Sequence, residues 1–299
     1  NAARFIMMNM EKADQTEVSA EELTMADRWI LSKANTLVKE VTENMEKFEL
    51  GIALSKVYDF AWDEFCDWYI EMVKPRLYNE EDGSKNAAVW TLKTVLTDIL
   101  KLLHPFIPFV TEEIFTNLQD QEKSIMISSW PEYREEYNFE DEEKEVEVIK
   151  EAVRAIRTVR TDMNVQPSRK ATVHVVSEKD DILEMFRHSE AFFRTLGMAS
   201  QVIIQKDRTG IDENAVSAVT SDVTMYLPLN ELVDIEKERE RLKKEAGRLE
   251  KEIARSEGML KNENFLKKAP QEKVDAEKEK LERYLAMLNQ VTARLDALG

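Results

Sequence analysis

Residues 232–260 read LVDIEKERERLKKEAGRLEKEIARSEGML, and residues 274–298 read VDAEKEKLERYLAMLNQVTARLDAL. In the first stretch, positions 232, 235, 239, 242, 246, 249, 253, 256 and 260 step by three and four without a slip. They hold Leu, Ile, Arg, Leu, Ala, Leu, Ile, Ser and Leu. The stepping resumes at Val274, Glu277, Leu281, Tyr284, Leu288, Val291, Leu295 and Leu298. This is the heptad repeat of a coiled coil. Between the two runs, Asn262 to Gln271 holds Pro270 and an out-of-register Phe265-Leu266, so the chain is expected to reverse there and lay the second helix antiparallel on the first. About thirty residues at 1.5 Å each make an arm roughly 45 Å long, too long to pack into a globular core. Such an arm pairs either with a second copy or with its own returning helix. Arg239, Ser256 and Glu277 on the seam disfavour a long homodimeric zipper. A tethered hairpin tolerates them better, because its two helices meet at high effective concentration.

The rest of the 299-residue chain is also helix-rich by composition, since 7 Gly and 7 Pro make up under 5% of it, against roughly 12% in an average protein. No two glycines stand close enough to write G-x-G-x-x-G or a Walker loop, which excludes phosphate cradling by a glycine-rich turn. One cysteine, Cys66, rules out an internal disulfide framework and a CxxC zinc site. The three histidines, His104, His174 and His188, have no metal-ligand spacing. No apolar run approaches the roughly 18 to 20 residues that cross a bilayer, and no signal-peptide pattern opens the chain, so a soluble cytoplasmic protein without a membrane partner is expected. The absence of an initiating Met suggests a piece of something longer.

The formal charge of −17 is unevenly spread. Residues 1–143 carry −16, residues 144–170 carry +3, residues 171–229 carry −4, and residues 230–299 are balanced. Three pieces are expected on these lines. Residues 1–143 read as a helical bundle, with Ile30, Ala34, Leu37, Val38, Val41 and Met45 on one face after a Thr24 N-cap. A second helix is expected from about Ile52 to Val73, stopped by Pro75, with Leu54, Val57, Ala61, Phe65, Trp68 and Met72 inward. Helices over about Lys85–Leu103 and Phe109–Leu118 complete the bundle. Pro131 to Glu145 reads as an acidic, solvated linker. Residues 144–229 then read as a small α/β unit, with a helix from about Glu145 to Asp162, a helix from about Asp180 to Leu196, and strands in Thr172–Val176, Val202–Gln205 and Val216–Leu229. Residues 230–299 are the arm. The fold class is mainly α: helical bundle, small α/β junction, antiparallel two-helix coiled coil.

Particular strings carry more than periodicity does. Asn1-Ala2-Ala3-Arg4-Phe5, Ala26-Asp27-Arg28-Trp29-Ile30-Leu31-Ser32, the run Phe60-Ala61-Trp62-Asp63-Glu64-Phe65-Cys66-Asp67-Trp68-Tyr69-Ile70-Glu71, and Leu103-His104-Pro105-Phe106-Ile107-Pro108-Phe109-Val110-Thr111-Glu112-Glu113 occur in that order. Together they resemble the anticodon-binding helical domain of class I aminoacyl-tRNA synthetases for branched aliphatic amino acids. The terminal hairpin, with Asn264-Phe265-Leu266-Lys267-Lys268-Ala269-Pro270 at its turn, resembles the bacterial valyl-tRNA synthetases. Isoleucyl enzymes often end in a cysteine-rich zinc module that a single Cys cannot build.

The resemblance spans essentially the whole chain and implies a C-terminal half whose partner is the valine isoacceptor tRNA. The HIGH and KMSKS signatures of that class are absent and would lie upstream of Asn1. This piece is therefore expected to bind tRNA without activating valine. No cofactor is expected in it, ATP serving the full-length enzyme. Other readings are an isoleucyl-type fragment and a non-enzymatic coiled-coil oligomerisation protein; the hairpin favours a monomer.

By the same resemblance, Phe5, Ile70 and Glu71 are expected at the anticodon, Ile70 against a base face and Glu71 accepting from a base amino group. Arg154, Arg157, Arg160, Arg169 and Lys170 form the one clearly cationic stretch. Arg154 and Arg157 share a helix face, placing guanidinium forks to bridge successive phosphates or simply to pair with Glu147 and Glu151. Lys243, Lys244 and Arg248 lie outside the arm's seam, either solvated or leaning on the tRNA corner where the D and T loops meet. Trp62, Phe65 and Trp68 are expected in the core, Asp63, Glu64 and Asp67 on a solvated face, and Cys66 as a buried thiol. No catalytic or metal-binding residues are expected.

Overall fold

The computed structural model describes residues 1–11, 18–79, 81–119, 122–262 and 270–297. The bundle is built from α1 (Ala2–Met10), α2 (Met25–Glu46), α3 (Leu50–Asp59), α4 (Ile70–Tyr78), α5 (Lys85–Leu103) and α6 (Pro108–Leu118). A wider π-helical stretch, Phe60–Tyr69, joins α3 to α4 without a break. Buried side chains along this composite helix include the row Ala53, Val57, Phe60, Phe65, Tyr69, Val73 and Leu77, with one five-residue step, and no residue between Phe60 and Phe65 is buried. That step is the period a π-helical turn imposes, and it rotates the inward face relative to the 3.6-residue reading. Phe65 and Trp68 are buried as expected, but Trp62 is not. It is 58% exposed, and its ring stacks 6.4 Å from that of exposed Tyr58. Nor does Pro75 end the helix, which runs to Tyr78. The lost N–H is outweighed by the burial of Met72, Val73 and Leu77 and by the anchoring of Arg76.

That anchor is a buried ionic knot at the start of α2. Asp27 is fully buried and accepts from Arg76 Nη1 at 2.8 Å, Arg76 Nη2 at 2.9 Å and the Tyr69 hydroxyl at 2.6 Å. Thr24 donates to the same carboxylate from its backbone N–H at 2.9 Å and its hydroxyl at 2.8 Å, as an N-terminal capping residue should. Arg76 continues to Ser84, donating from Nε to Oγ at 2.8 Å and from Nη2 to the carbonyl at 2.7 Å. One guanidinium thus ties the starts of α2 and α5 to α4. Burial, with the Asp27 carboxylate beside it, pushes the Tyr69 phenol well above its usual range.

The acidic stretch from Pro131 to Glu145 is solvated as expected but is not a free linker. Helix α7 (Glu140–Asp162) begins inside it, with Glu140, Asp141, Glu142 and Glu143 in a first turn whose helix dipole favours carboxylates. Helix α2 holds the segment in place. Asn35 donates to the Arg134 carbonyl at 2.7 Å and accepts from its N–H at 2.8 Å, while Ser32 accepts from Phe139 N–H at 3.0 Å and donates to Glu143 at 2.6 Å. The boundary expected at 143/144 falls within α7. Val146, Ile149, Val153 and Ile156 of this helix belong to one core that runs from Ile6 to Val233.

Beyond α7 the junction has strands β1 (Ala171–Val176), β2 (Ala199–Gln205), β3 (Val216–Val219) and β4 (Thr224–Leu227), in the order β2-β1-β4-β3. Parallel β1 and β2 are joined through α8 (Asp180–His188) and α9 (Glu190–Leu196), and the stretch expected as one segment over 216–229 is instead an antiparallel hairpin. The expected single helix over 180–196 divides at buried Ser189, whose hydroxyl donates to the Met185 carbonyl at 2.8 Å.

A short α10 (Leu229–Leu232) leads into α11 (Ile235–Lys261), which packs along α12 (Gln271–Ala297). The arm has its own core of Leu242, Leu249 and Val291, with Ala246, Tyr284, Met287, Leu288 and Leu295 against it. Two of the three polar seam residues answer one another: fully buried Ser256 donates to Glu277 at 2.6 Å. The turn at 264–269 lies outside the described residues. Among those described, no helix is long and apolar enough to cross a membrane.

Arg76→Met, which strands the buried Asp27 carboxylate, is expected to cost about 3–5 kcal/mol in urea unfolding. Asp27→Leu combined with Arg76→Met should cost less than Arg76→Met alone, because no uncompensated charge is left inside.

Candidate nucleic-acid interface

Two of the three residues expected at the anticodon meet around a third side chain that the sequence reading missed. Lys74, one turn beyond Glu71 on α4, has its Nζ 2.5 Å from Glu71 Oε1 and 5.9 Å from the centre of the Phe5 ring on α1. The i, i+3 spacing of Glu71 and Lys74 was the available signal. Ile70, only 7% exposed, sits in the bundle core. The result is a polar patch of one carboxylate, one ammonium and one aromatic ring, a set able to hydrogen-bond base edges and stack on a base.

The cationic stretch divides into two groups. Arg154 and Arg157 are exposed on α7, and their guanidinium carbons each lie 5.4 Å from the centre of the Trp68 ring. Arg154 donates to Glu147 at 2.7 Å, and Arg157 Nε to the Leu196 carbonyl at 3.0 Å. Lys170 is exposed. Arg160, by contrast, is buried and donates to the carbonyls of Gln166 at 3.3 Å and Arg169 at 2.6 Å, closing the turn after α7. Burial pushes its pKa down. Arg169 donates to the carbonyls of Glu231 and, at 2.9 Å, Asn230, bracketing the turn to α10. Arg160 and Arg169, two of the four arginines in the stretch expected on phosphates, thus direct all these hydrogen bonds to backbone oxygens. Their forks suit main-chain carbonyls as well as they suit anions, and a carbonyl partner leaves no mark in a sequence.

Lys243, Lys244 and Arg248 are exposed on α11, away from the buried Leu242 and Leu249. Of the carboxylates on the composite helix, Glu64 is engaged with Lys150 at 2.6 Å. Cys66 is half-buried, and burial, followed by the Asp67 charge, pushes its thiol up, away from nucleophilic reactivity. Among the described residues no group of three or more His, Cys, Asp or Glu side chains is placed to hold a metal ion. A Cβ added at Gly51, Gly83, Gly210, Gly247 or Gly258 meets nothing within 4 Å, so close packing does not require glycine at these positions.

Comparison with known families gives two matches. Residues 27–175 match the anticodon-binding domain of tRNA ligase, and residues 234–299 match the valyl tRNA synthetase tRNA binding arm. The second match falls on the hairpin. The chain belongs to the valyl-tRNA synthetase family. Over its full length it is 51% identical to valine–tRNA ligase of Clostridium tetani and 47% identical to that of Clostridium acetobutylicum. Over 99% of its length it is 37% identical to valine–tRNA ligase of Bacillus cereus. It spans 34% of the length of each of these valyl-tRNA synthetases, a third rather than the half expected.

Arg160→Ala is expected to lower stability by about 1–3 kcal/mol, since it removes a buried side chain whose charged group holds two carbonyls of the turn after α7. Lys170→Ala should stay within about 0.5 kcal/mol of the parent chain by thermal unfolding.

Proposed function

We propose that this chain is the tRNA-recognising portion of a valine–tRNA ligase. The bundle reads the anticodon, and the junction and arm hold the phosphate backbone. The observation that carries this reading is the pairing of an anticodon-domain match on the bundle with a valyl-arm match on the hairpin, in one chain and in that order. Phe5 offers a ring for stacking, and Glu71, poised by Lys74, accepts from a base amino group. Ile70 supports this patch from the core rather than touching a base. Arg154, Arg157 and Lys170 are the phosphate contacts of the junction; Arg160 and Arg169 hold the turn that carries Lys170. Lys243, Lys244 and Arg248 set the arm against the outer corner of the tRNA, where the D and T loops meet. Activation of valine with ATP is the work of the full-length enzyme outside this chain. The acidity of residues 1–143 discourages indiscriminate RNA binding, so affinity rests on the few basic faces.

The arm is read as an intramolecular hairpin on a monomer, a reading supported by the Ser256–Glu277 hydrogen bond, which satisfies both seam residues within one chain. Light scattering over a hundredfold range of concentration should return the protomer mass throughout. A mass that doubles with concentration would favour the oligomerisation arm instead.

For recognition, the chain should bind valine tRNA more tightly than the same tRNA with its anticodon replaced, at two salt concentrations; equal affinities would remove the anticodon assignment. Arg154→Ala with Arg157→Ala should weaken both RNAs alike and reduce the slope of log K against log salt by about 1–2, because phosphate contacts carry no sequence information.

A further inference from the structure

Trp68 lies on the π-helical stretch beneath α7, 7% exposed. Three cations of α7 crowd its ring: Lys150 Nζ, Arg154 Cζ and Arg157 Cζ are each 5.4 Å from the centroid. Positions 150, 154 and 157 form one helical stripe, so a single indole underlies the whole basic face. The three members are held differently. Lys150 is an internal strut, 2% exposed and paired with Glu64 at 2.6 Å and Glu147 at 3.3 Å. Arg154 hydrogen-bonds through one nitrogen, Nη1 to Glu147, and Arg157 through one, Nε to Leu196. Among the described residues, neither guanidinium makes a further hydrogen bond, and both arginines are exposed.

Three cations around one ring are answered by two carboxylates, Glu64 and Glu147. The face of the indole supplies the remaining compensation through its quadrupole. An exposed arginine is otherwise mobile and must be ordered when it grips a ligand. One contact with the ring and one hydrogen bond fix each of these forks before RNA arrives, and the local excess of positive charge is relieved when an anion binds.

We propose that Trp68 is a positioning residue for the phosphate grip: it holds Arg154 and Arg157 in the arrangement in which they meet successive phosphates of the bound RNA. It touches no RNA itself. The inference rests on the phosphate role proposed above for the two arginines.

The test is a thermodynamic cycle on the full 299-residue chain, using a valine tRNA transcript as the probe and measuring affinity over a range of salt. Trp68→Leu is expected to weaken binding about three- to tenfold, the scale of a lost cation–π contact, and Trp68→Phe to weaken it less. In the Arg154→Ala, Arg157→Ala background, Trp68→Leu should have little further effect. An equal loss in both backgrounds would show that Trp68 acts through the general fold, and would overturn the proposal. If the arginine pair matters while both Trp68 variants bind like the parent chain, Trp68 has no positioning role, although the phosphate reading survives. If the arginine substitutions themselves change nothing, the phosphate reading fails and this inference fails with it. Circular dichroism melting of each variant identifies any that do not fold. Trp68→Phe, which keeps a ring in place, carries the cycle if Trp68→Leu is among them.

Discussion

The bundle depends on a buried carboxylate that cannot be left unpaired. Asp27 sits at the first turn of α2 with no exposed surface, and its charge is tolerated because Arg76, Tyr69 and Thr24 all donate to it. Desolvating such a pair is costly, and its net contribution to stability is small. Its value is geometric. The bidentate fork of Arg76 fixes the end of α4 against the start of α2, and the same side chain reaches Ser84 at the start of α5. A hydrophobic substitute would bury as much surface without defining where three helix ends meet.

With those ends fixed, the composite helix has to satisfy Asp27 from Tyr69 and Arg76 while keeping Phe65 and Trp68 inward. The π-helical stretch supplies the extra rotation. It places Trp68 beneath α7, leaves Trp62 in solvent, and turns Glu71 and Lys74 towards Phe5. Helix α7 passes from the bundle to the sheet as one element, so the Phe5–Glu71–Lys74 patch and the basic face stand on one shared core.

The arm was the most legible part of the sequence, because a seam of apolar residues at three- and four-residue steps over two long runs has few other meanings. Helix α5 was equally plain, since Ala, Val and Leu repeat on one face and His104-Pro105 marks its end. The composite helix was only half legible. A five-residue step looks, in sequence, like two α-helical patterns out of phase, and Pro75 reads as a stop unless the partner of Arg76 is known. Arg160 and Arg169 were misread for a different reason: their partners are backbone carbonyls, which every residue carries, whereas a run of basic residues invites an anionic partner. Strings shared with a family pointed to Phe5, Ile70 and Glu71, but only the geometry showed Ile70 in the core and Lys74 between Glu71 and Phe5.

Arg169 also sets the tolerance of the arm. Its hold on the carbonyls of residues 230 and 231 lies four or five residues before the start of α11, whose 27 residues extend about 40 Å. Over that length, one degree of tilt at the root sweeps the tip through about 0.7 Å, so five degrees would carry it past the width of a hydrogen bond. A stiff rod is only as accurate as its hinge, and here the Arg169 guanidinium clamps the hinge on its main chain while Thr172 holds the Glu231 side chain.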